Sequence, residues 1–262
     1  MAGAFRSRPD GPNSSVAALF FDLDNTLIET RKADSLACRK LAEELNKEYG
    51  VPQDCSNKIT ASFLKQFRKC PDNVTLSLDS WRTSLWNKAL GENYSYLAKQ
   101  TYERWLYLRY YCLALTPETI AMLRQLKSKY RLGLITNGPS NAQWEKVHKL
   151  SLQQYFDIIL VSGDLPWEKP SAQIFEEACR YLNVHPENCI MVGDKLETDI
   201  QGGIEAGLAG TVWIPLGDSR LTADDPKPNY TIKQVTDLVR LLNKGPDAHE
   251  YEDSSSNASD GM

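Results

Sequence analysis

The sequence predicts an α/β fold, a doubly wound parallel sheet with an inserted helical cap. Three observations lead there. From residue 116 onward, short apolar runs alternate with segments of helical period. One more apolar run, "VAALFF" at residues 16–21, stands ahead of that series. Residues 30–115, between the two, carry mostly helical spacing. Strands joined by helices of this length make a parallel sheet covered on both faces, so the helical block reads as an insertion after the first strand.

Each element has its own warrant. "VAALFF" is short, continuous and apolar, the pattern of a strand buried on both sides. In the insert, apolar residues recur at helical intervals, Leu36, Leu41 and Leu45 in one segment and Phe63, Leu64 and Phe67 in another, with a break near Pro71. Trp81, Leu85 and Trp86, then Tyr102, Trp105, Leu106 and Tyr110, continue the pattern. Thr116 offers an N-cap, Pro117 fills the first helical position and Glu118 follows, so a helix opens there. "RLGLIT" is then a strand, "SNAQWEKVHKL" a helix, "FDIILVSG" a strand and "SAQIFEEACRYLN" a helix. "NCIMVGD" is a strand, "ETDIQGGIEAGL" a short helix closing near Gly207, and "GTVWIPL" a strand. "YTIKQVTDLVRLLN" supplies a last strand and helix. The core is thus expected in residues 16–29 and 116–244 and the cap in residues 30–115. Residues 1–15 read as a disordered lead, and residues 245–262 as a disordered acidic tail.

The composition excludes several classes. Hydrophobic residues make up 42% and charged residues 24% of 262, the balance of a globular protein with a sizeable core. The net charge of -4 sits in the tail, where Asp247, Glu250, Glu252, Asp253 and Asp260 meet no Lys or Arg. With no basic stripe, a nucleic-acid partner is not expected. No apolar run approaches the roughly 20 residues that cross a bilayer. The N-terminal stretch lacks the apolar region of a secretory signal. The six cysteines form no C-x-x-C, so they read as reduced thiols of a cytoplasmic protein. The triplet Asn73-Val74-Thr75 matches a glycosylation acceptor by chance on that reading. Oligomeric state leaves no mark in the sequence.

The chemistry is sought where open parallel sheets bind ligands, at the carboxyl ends of their strands. After the first strand stand Asp22 and Asp24, in "FFDLDNTL". Residues two apart on a strand share a face, so these carboxylates need compensation, from a cation between them or from a capped turn. After "RLGLI" stand Thr136 and Asn137. After "FDIILVSG" comes Lys169, in "EKP". After "CIMVG" stand Asp194, then Glu197 and Asp199. Taken singly, an Asp after a strand is a cap residue, a Lys is solvated and "TNG" is a turn. Taken together they suit phosphoryl transfer. Carboxylates without His or Cys favour a hard cation such as Mg²⁺, and a lysine and hydrogen-bond donors neutralise phosphoryl oxygens.

Four motifs in order carry a resemblance. "DLDNT" at residues 22–26, Thr136 in "LITNG", Lys169 in "EKP" and "GDKLETD" with Asp194 and Asp199 resemble the signature of the haloacid-dehalogenase-like hydrolases, most of which are phosphatases. The resemblance spans roughly residues 16–243. It implies a Rossmann-like core and roles by position. Asp22 is the nucleophile, which passes through an aspartyl-phosphate. Asp24 is the acid and then the base, where an alkoxide leaving group requires one. Leu23, Asp24, Thr136, Asn137 and Lys169 bind the phosphate. Asp22, Asp24 (through its carbonyl) and Asp194 hold Mg²⁺, with Asp199 in support. The helical insert resembles the family's cap class, which implies a small phosphorylated, sugar-like substrate. Arg31, Lys32, Arg39 and Lys40 offer cations for a substrate carboxylate, or else form a solvated helix face. The aromatic residues 94–111 offer a sugar-stacking surface, or else pack a core. A related phosphatase acting on another sugar phosphate or on phosphoglycolate, and a silent binding protein on the same fold, are the competing readings.

Overall fold

A computed structural model describes residues 16–69 and 77–243. The expected lead, the break near Pro71, Asn73-Val74-Thr75 and the acidic tail lie outside the described residues. Six strands form one sheet in the order β3-β2-β1-β4-β5-β6. They are β1 (Ala18–Phe21), β2 (Arg131–Thr136), β3 (Ile158–Val161), β4 (Cys189–Gly193), β5 (Gly210–Trp213) and β6 (Tyr230–Thr231). Every neighbouring pair is parallel. β1 lies in the middle and is fully buried, as its unbroken apolar run requires. Chain order runs one way from β1 to β2 and β3, and the other way to β4, β5 and β6. That reversal is the switch point where such sheets open a crevice.

Register aligns the carboxyl ends. Phe21 lies opposite Leu134 on one side and Val192 on the other. Asp22, Thr136 and Asp194 therefore emerge along one edge. Close packing explains a glycine here: a Cβ on Gly133 would lie 2.7 Å from a ring carbon of Phe20.

Among the described residues, four helices lie between β1 and the rest in the chain: α1 (Thr30–Tyr49), α2 (Gln53–Phe67), α3 (Leu78–Tyr94) and α4 (Ala98–Leu113). α1 ends at Gly50, whose left-handed backbone suits a residue without Cβ. The helices share one apolar cluster built on Leu41, Leu45, Phe63, Trp86 and Trp105. The rings of Phe63 and Trp86 stack at 3.7 Å between centroids, and Trp105 meets Phe63 edge-on at 4.8 Å. Two further clusters pack the faces of the sheet, and neither contains a residue of the helical one. Tyr102 and Trp105 thus belong to the packed interior, whereas Tyr107 and Tyr111 are exposed.

The chain re-enters the core at α5 (Pro117–Lys127), where the Thr116 hydroxyl accepts from the Thr119 amide at 3.2 Å. α6 (Ser140–Lys149) follows β2, and α7 (Ala172–Leu182) follows β3. The expected helix after β4 is two pieces, a π-helical turn over Leu196–Ile200 and then α8 (Gln201–Glu205). The strand after it is shorter than its apolar run, ending at Trp213. The last segment is a two-residue β6, a 3₁₀ turn and α9 (Leu238–Asn243). Among the described residues no helix is long and apolar enough to cross a membrane. The described cysteines carry free thiols.

Candidate active site

The site begins where β1 ends. Asp22 continues the ladder for one residue, its amide donating to the Val192 carbonyl at 2.9 Å. The chain then turns sharply. The carbonyl of Leu23 accepts from the amides of Thr26, Leu27 and Ile28, and Asn25 takes a left-handed backbone (φ 64°) that asparagine tolerates. The two-residue strand period therefore lapses between Asp22 and Asp24. Rather than sharing one cation on one face, the two carboxylates point to different partners.

Asp22 belongs to a buried cluster. Lys169 Nζ lies 2.7 Å from Asp22 Oδ1 and 2.7 Å from Asp199 Oδ1, and it donates to the Ile135 carbonyl at 2.7 Å. Lys169 is only 2% exposed. Ligand oxygens of Asp22, Asp194 and Asp199 all lie within 4.8 Å of one another. Both carboxylate oxygens of Asp194 are buried without a hydrogen-bond partner, although its backbone carbonyl accepts from Trp213 Nε1 at 2.9 Å. Three carboxylates thus face one ammonium, an excess of two negative charges. The all-oxygen donor set and the orphaned Asp194 oxygens fit a hard divalent cation. Without one, protons must relieve the repulsion. Burial pushes Asp22 up to about 7, with Lys169 opposing and Asp199 adding to the shift. Burial and then Asp199 raise Asp194 to about 6. Burial works against the Lys169 charge, but Asp199 and Asp22 outweigh it and raise its pKa.

Asp24 has a separate set of partners. Lys146 Nζ grips both of its oxygens, at 2.7 and 2.6 Å. Thr30 Oγ1 donates to Oδ1 at 2.5 Å and Gln143 Nε2 to Oδ2 at 3.0 Å. Burial alone would raise its pKa. The charge of Lys146 and the three sets of donors overcome this and hold it well below the usual carboxylate range. Lys146 and Gln143, both buried on α6, were missed in the sequence. Their one available signal was a spacing of three on the helix that follows the Thr136 strand.

The remaining candidates divide. Thr136 Oγ1 is buried without a partner at the end of β2. The Asn137 side chain is committed to the Lys169 peptide: Nδ2 donates to its carbonyl at 2.8 Å and Oδ1 accepts from its amide at 3.0 Å. Asn137 therefore fixes the loop that delivers Lys169. Asp199 Oδ2 accepts from the Lys195 amide at 3.0 Å. Of the four basic residues after the first motif, Arg31 is close enough for its charge to lower the pKa of Asp194. Lys32 pairs with Glu29 on the surface, and Lys40 lies 5.1 Å above the Tyr111 ring. Arg39 is exposed.

Residues 16–207 match the haloacid dehalogenase-like hydrolases, and the chain belongs to this family. Its curated relatives are phosphatases, which makes phosphatase activity the class of this chain too. It is 37% identical over 234 residues to the N-acylneuraminate-9-phosphatase of Rattus norvegicus, covering 87% of this chain and 94% of that one. The Homo sapiens protein of that name is 36% identical over the same length. A glyceraldehyde 3-phosphate phosphatase of Methanothermobacter thermautotrophicus is 34% identical over 193 residues, covering 73% of this chain and 83% of that one. Among solved structures, the magnesium-bound HAD-hydrolase YfnB of Bacillus subtilis superposes with a TM-score of 0.60 at 25% identity, covering 87% of this chain and 99% of that one.

Two predictions follow from this geometry. Asp22 and Asp194 bind protons more tightly in the folded, cation-free site than in the unfolded chain, so stability falls as pH rises through about 4 to 7. Thermal melts in chelator should give a lower Tm at pH 7.5 than at pH 5.5, and millimolar Mg²⁺ should narrow the gap. An identical pair of melts with and without the cation would contradict the charge count. Gly193 stands against Asp199 so closely that a Cβ would overlap its carboxyl group. Gly193→Ala should therefore cut turnover by about a hundredfold or more by misplacing Asp199 and Lys169, with little loss of secondary structure by circular dichroism.

Proposed function

We propose that the protein is a Mg²⁺-dependent phosphomonoester hydrolase of the cytosol that removes the phosphate of N-acylneuraminate 9-phosphate. The observation that carries the reaction is the division between Asp22 and Asp24. One carboxylate lies in a cluster with a lysine and two further acids, as a nucleophile facing phosphoryl oxygens would. The other is held apart on its own ammonium, as a group that moves protons would be. The substrate rests on the 37% identity to the rat phosphatase over most of both chains.

On this reading an Asp22 oxygen attacks phosphorus and the bond to the leaving oxygen breaks, giving an aspartyl-phosphate. Asp24 protonates the leaving alkoxide. It then takes a proton from the water that cleaves the aspartyl-phosphate. Lys146 keeps Asp24 ionised at rest, the form that serves the second step; for the first it must be loaded with a proton. Thr136 and the backbone at Leu23 and Asp24 hold phosphoryl oxygens, and Lys169 offsets charge shared between Asp22 and the phosphate. Mg²⁺, held by Asp22, Asp194 and the Asp24 carbonyl, would neutralise the phosphoryl oxygens. Helices α1–α4 act as a cap over this edge, and Arg31 is the basic residue best placed for a substrate carboxylate. A small sugar phosphate such as glyceraldehyde 3-phosphate is the second reading, favoured by the 34% identity to an archaeal phosphatase.

Asp22→Asn should abolish turnover, a loss of at least about a thousandfold, while leaving the fold intact by circular dichroism. Retained activity would remove Asp22 from the nucleophile's place. A panel of N-acylneuraminate 9-phosphate, glyceraldehyde 3-phosphate and phosphoglycolate should give the highest kcat/KM for the first. Equal or better turnover of either of the others would overturn the substrate.

A further inference from the structure

Helix α6 is gripped from two sides. Toward the sheet, Gln143 and Lys146 supply three of the four hydrogen bonds to the Asp24 carboxylate. Toward the helical insert, Glu145 Oε2 accepts from Arg82 Nη1 of α3 at 2.7 Å. Its Oε1 accepts from the Tyr110 hydroxyl of α4 at 2.5 Å. The Arg82 side chain is 2% exposed, and Glu145 is its one ion-pair partner among the described residues. The main apolar cluster of the insert is distinct from those of the sheet, although Ala33 and Leu113 of the insert pack into one of the sheet's clusters. At α6 the seam carries these directional polar contacts as well, which fix position more sharply than apolar contact does.

We infer that Glu145 is a positioning residue for Asp24: by tying α6 to Arg82 and Tyr110 of the insert, it sets where Lys146 and Gln143 hold the Asp24 carboxylate. Glu145 touches neither Asp24 nor the buried carboxylate cluster in any contact among the described residues, so its effect runs through the helix. Gln143 links the two sides further, since its Nε2 also donates to the Asn137 carbonyl at 2.7 Å, at the root of the loop before α6. A shift of α6 would disturb the hold on Asp24 at two side chains at once, Lys146 and Gln143, and the Gln143 tie to the Asn137 carbonyl with them. The inference rests on Asp24 acting as the proton donor to that oxygen.

The test uses leaving groups. An alkyl phosphate needs its oxygen protonated as it departs, whereas p-nitrophenyl phosphate expels a stable anion. kcat/KM reports the steps up to loss of that group and excludes the later cleavage of the aspartyl-phosphate. In the full-length protein with Mg²⁺, Glu145→Gln should lower kcat/KM for the alkyl ester by about tenfold and leave the aryl ester within about twofold. Glu145→Asp, which keeps the charge, should recover part of the loss. Added to Asp24→Asn, the Glu145→Gln change should cost the alkyl ester nothing further, because both act through one group. Equal losses on both esters, or losses that simply add, would overturn the inference. Asp24→Asn alone separates the two questions: if it fails to discriminate the esters, the proton-donor reading is at fault; if it discriminates and Glu145→Gln does not, the positioning role alone falls.

Discussion

One ammonium group organises the site. Lys169 is buried, and a buried lysine charge is costly unless it is paired and hydrogen-bonded. Here it meets Asp22, Asp199 and the Ile135 carbonyl at 2.7 Å each. Those partners come from the end of β1, the π-helical turn after β4, and β2. The lysine therefore pins together segments far apart in the chain at the switch point of the sheet. Asn137 fixes the Lys169 peptide from the end of β2, so even the approach of the lysine is set by the strand edge. Removing the ammonium would leave three carboxylates together in a buried setting, the arrangement in which breaking an ion pair costs most.

Much of this was legible in the sequence, for a physical reason. A strand buried on both faces must be apolar, so "VAALFF" and "NCIMVG" declare themselves, and the polar residues that end them stand out. The parallel order of the sheet then brings Asp22, Thr136, Lys169 and Asp194 to one edge, as alternation of strand and helix implied. What pattern could not show was the turn at Asn25. Extrapolating the strand period placed Asp22 and Asp24 on a common face. The chain had already left the strand, and three amides gathered on the Leu23 carbonyl swing Asp24 toward α6. Lys146 and Gln143 were illegible for the same reason, because their role depends on where Asp24 goes. Asn137 was read as a phosphate ligand from its place beside Thr136. Its side chain closes a reciprocal pair with the Lys169 peptide, a contact that spans 32 residues.

The insert illustrates a different limit. Its aromatic residues could be read as a stacking surface or as a packed interior, and Phe63, Trp86 and Trp105 form the latter. Apolar spacing says nothing about Arg82 and Arg109, which are buried in the same helices. Arg109 pairs with Asp34 at 2.7 Å, and both guanidinium groups lie near the rings of Phe67 and Trp105. Aromatic faces accept a desolvated guanidinium, which lets these cations sit inside an apolar cluster. Their carboxylate partners are Asp34 on α1, the helix that follows Asp24 in the chain, and Glu145 on α6, the helix whose Gln143 and Lys146 hold the Asp24 carboxylate.

The polar groups of the molecule thus fall into two layers with different electrostatic balance. Around Asp24 and its neighbours, Lys146, Arg82 and Arg109 match Asp24, Glu145 and Asp34 charge for charge. Around Asp22, one lysine faces three carboxylates. Only the second layer is short of positive charge, so only there would a divalent cation relieve repulsion. The balanced layer has no such deficit, and its carboxylate stays ionised on Lys146. The difference between two aspartates two residues apart is therefore set by how many cations the fold places beside each.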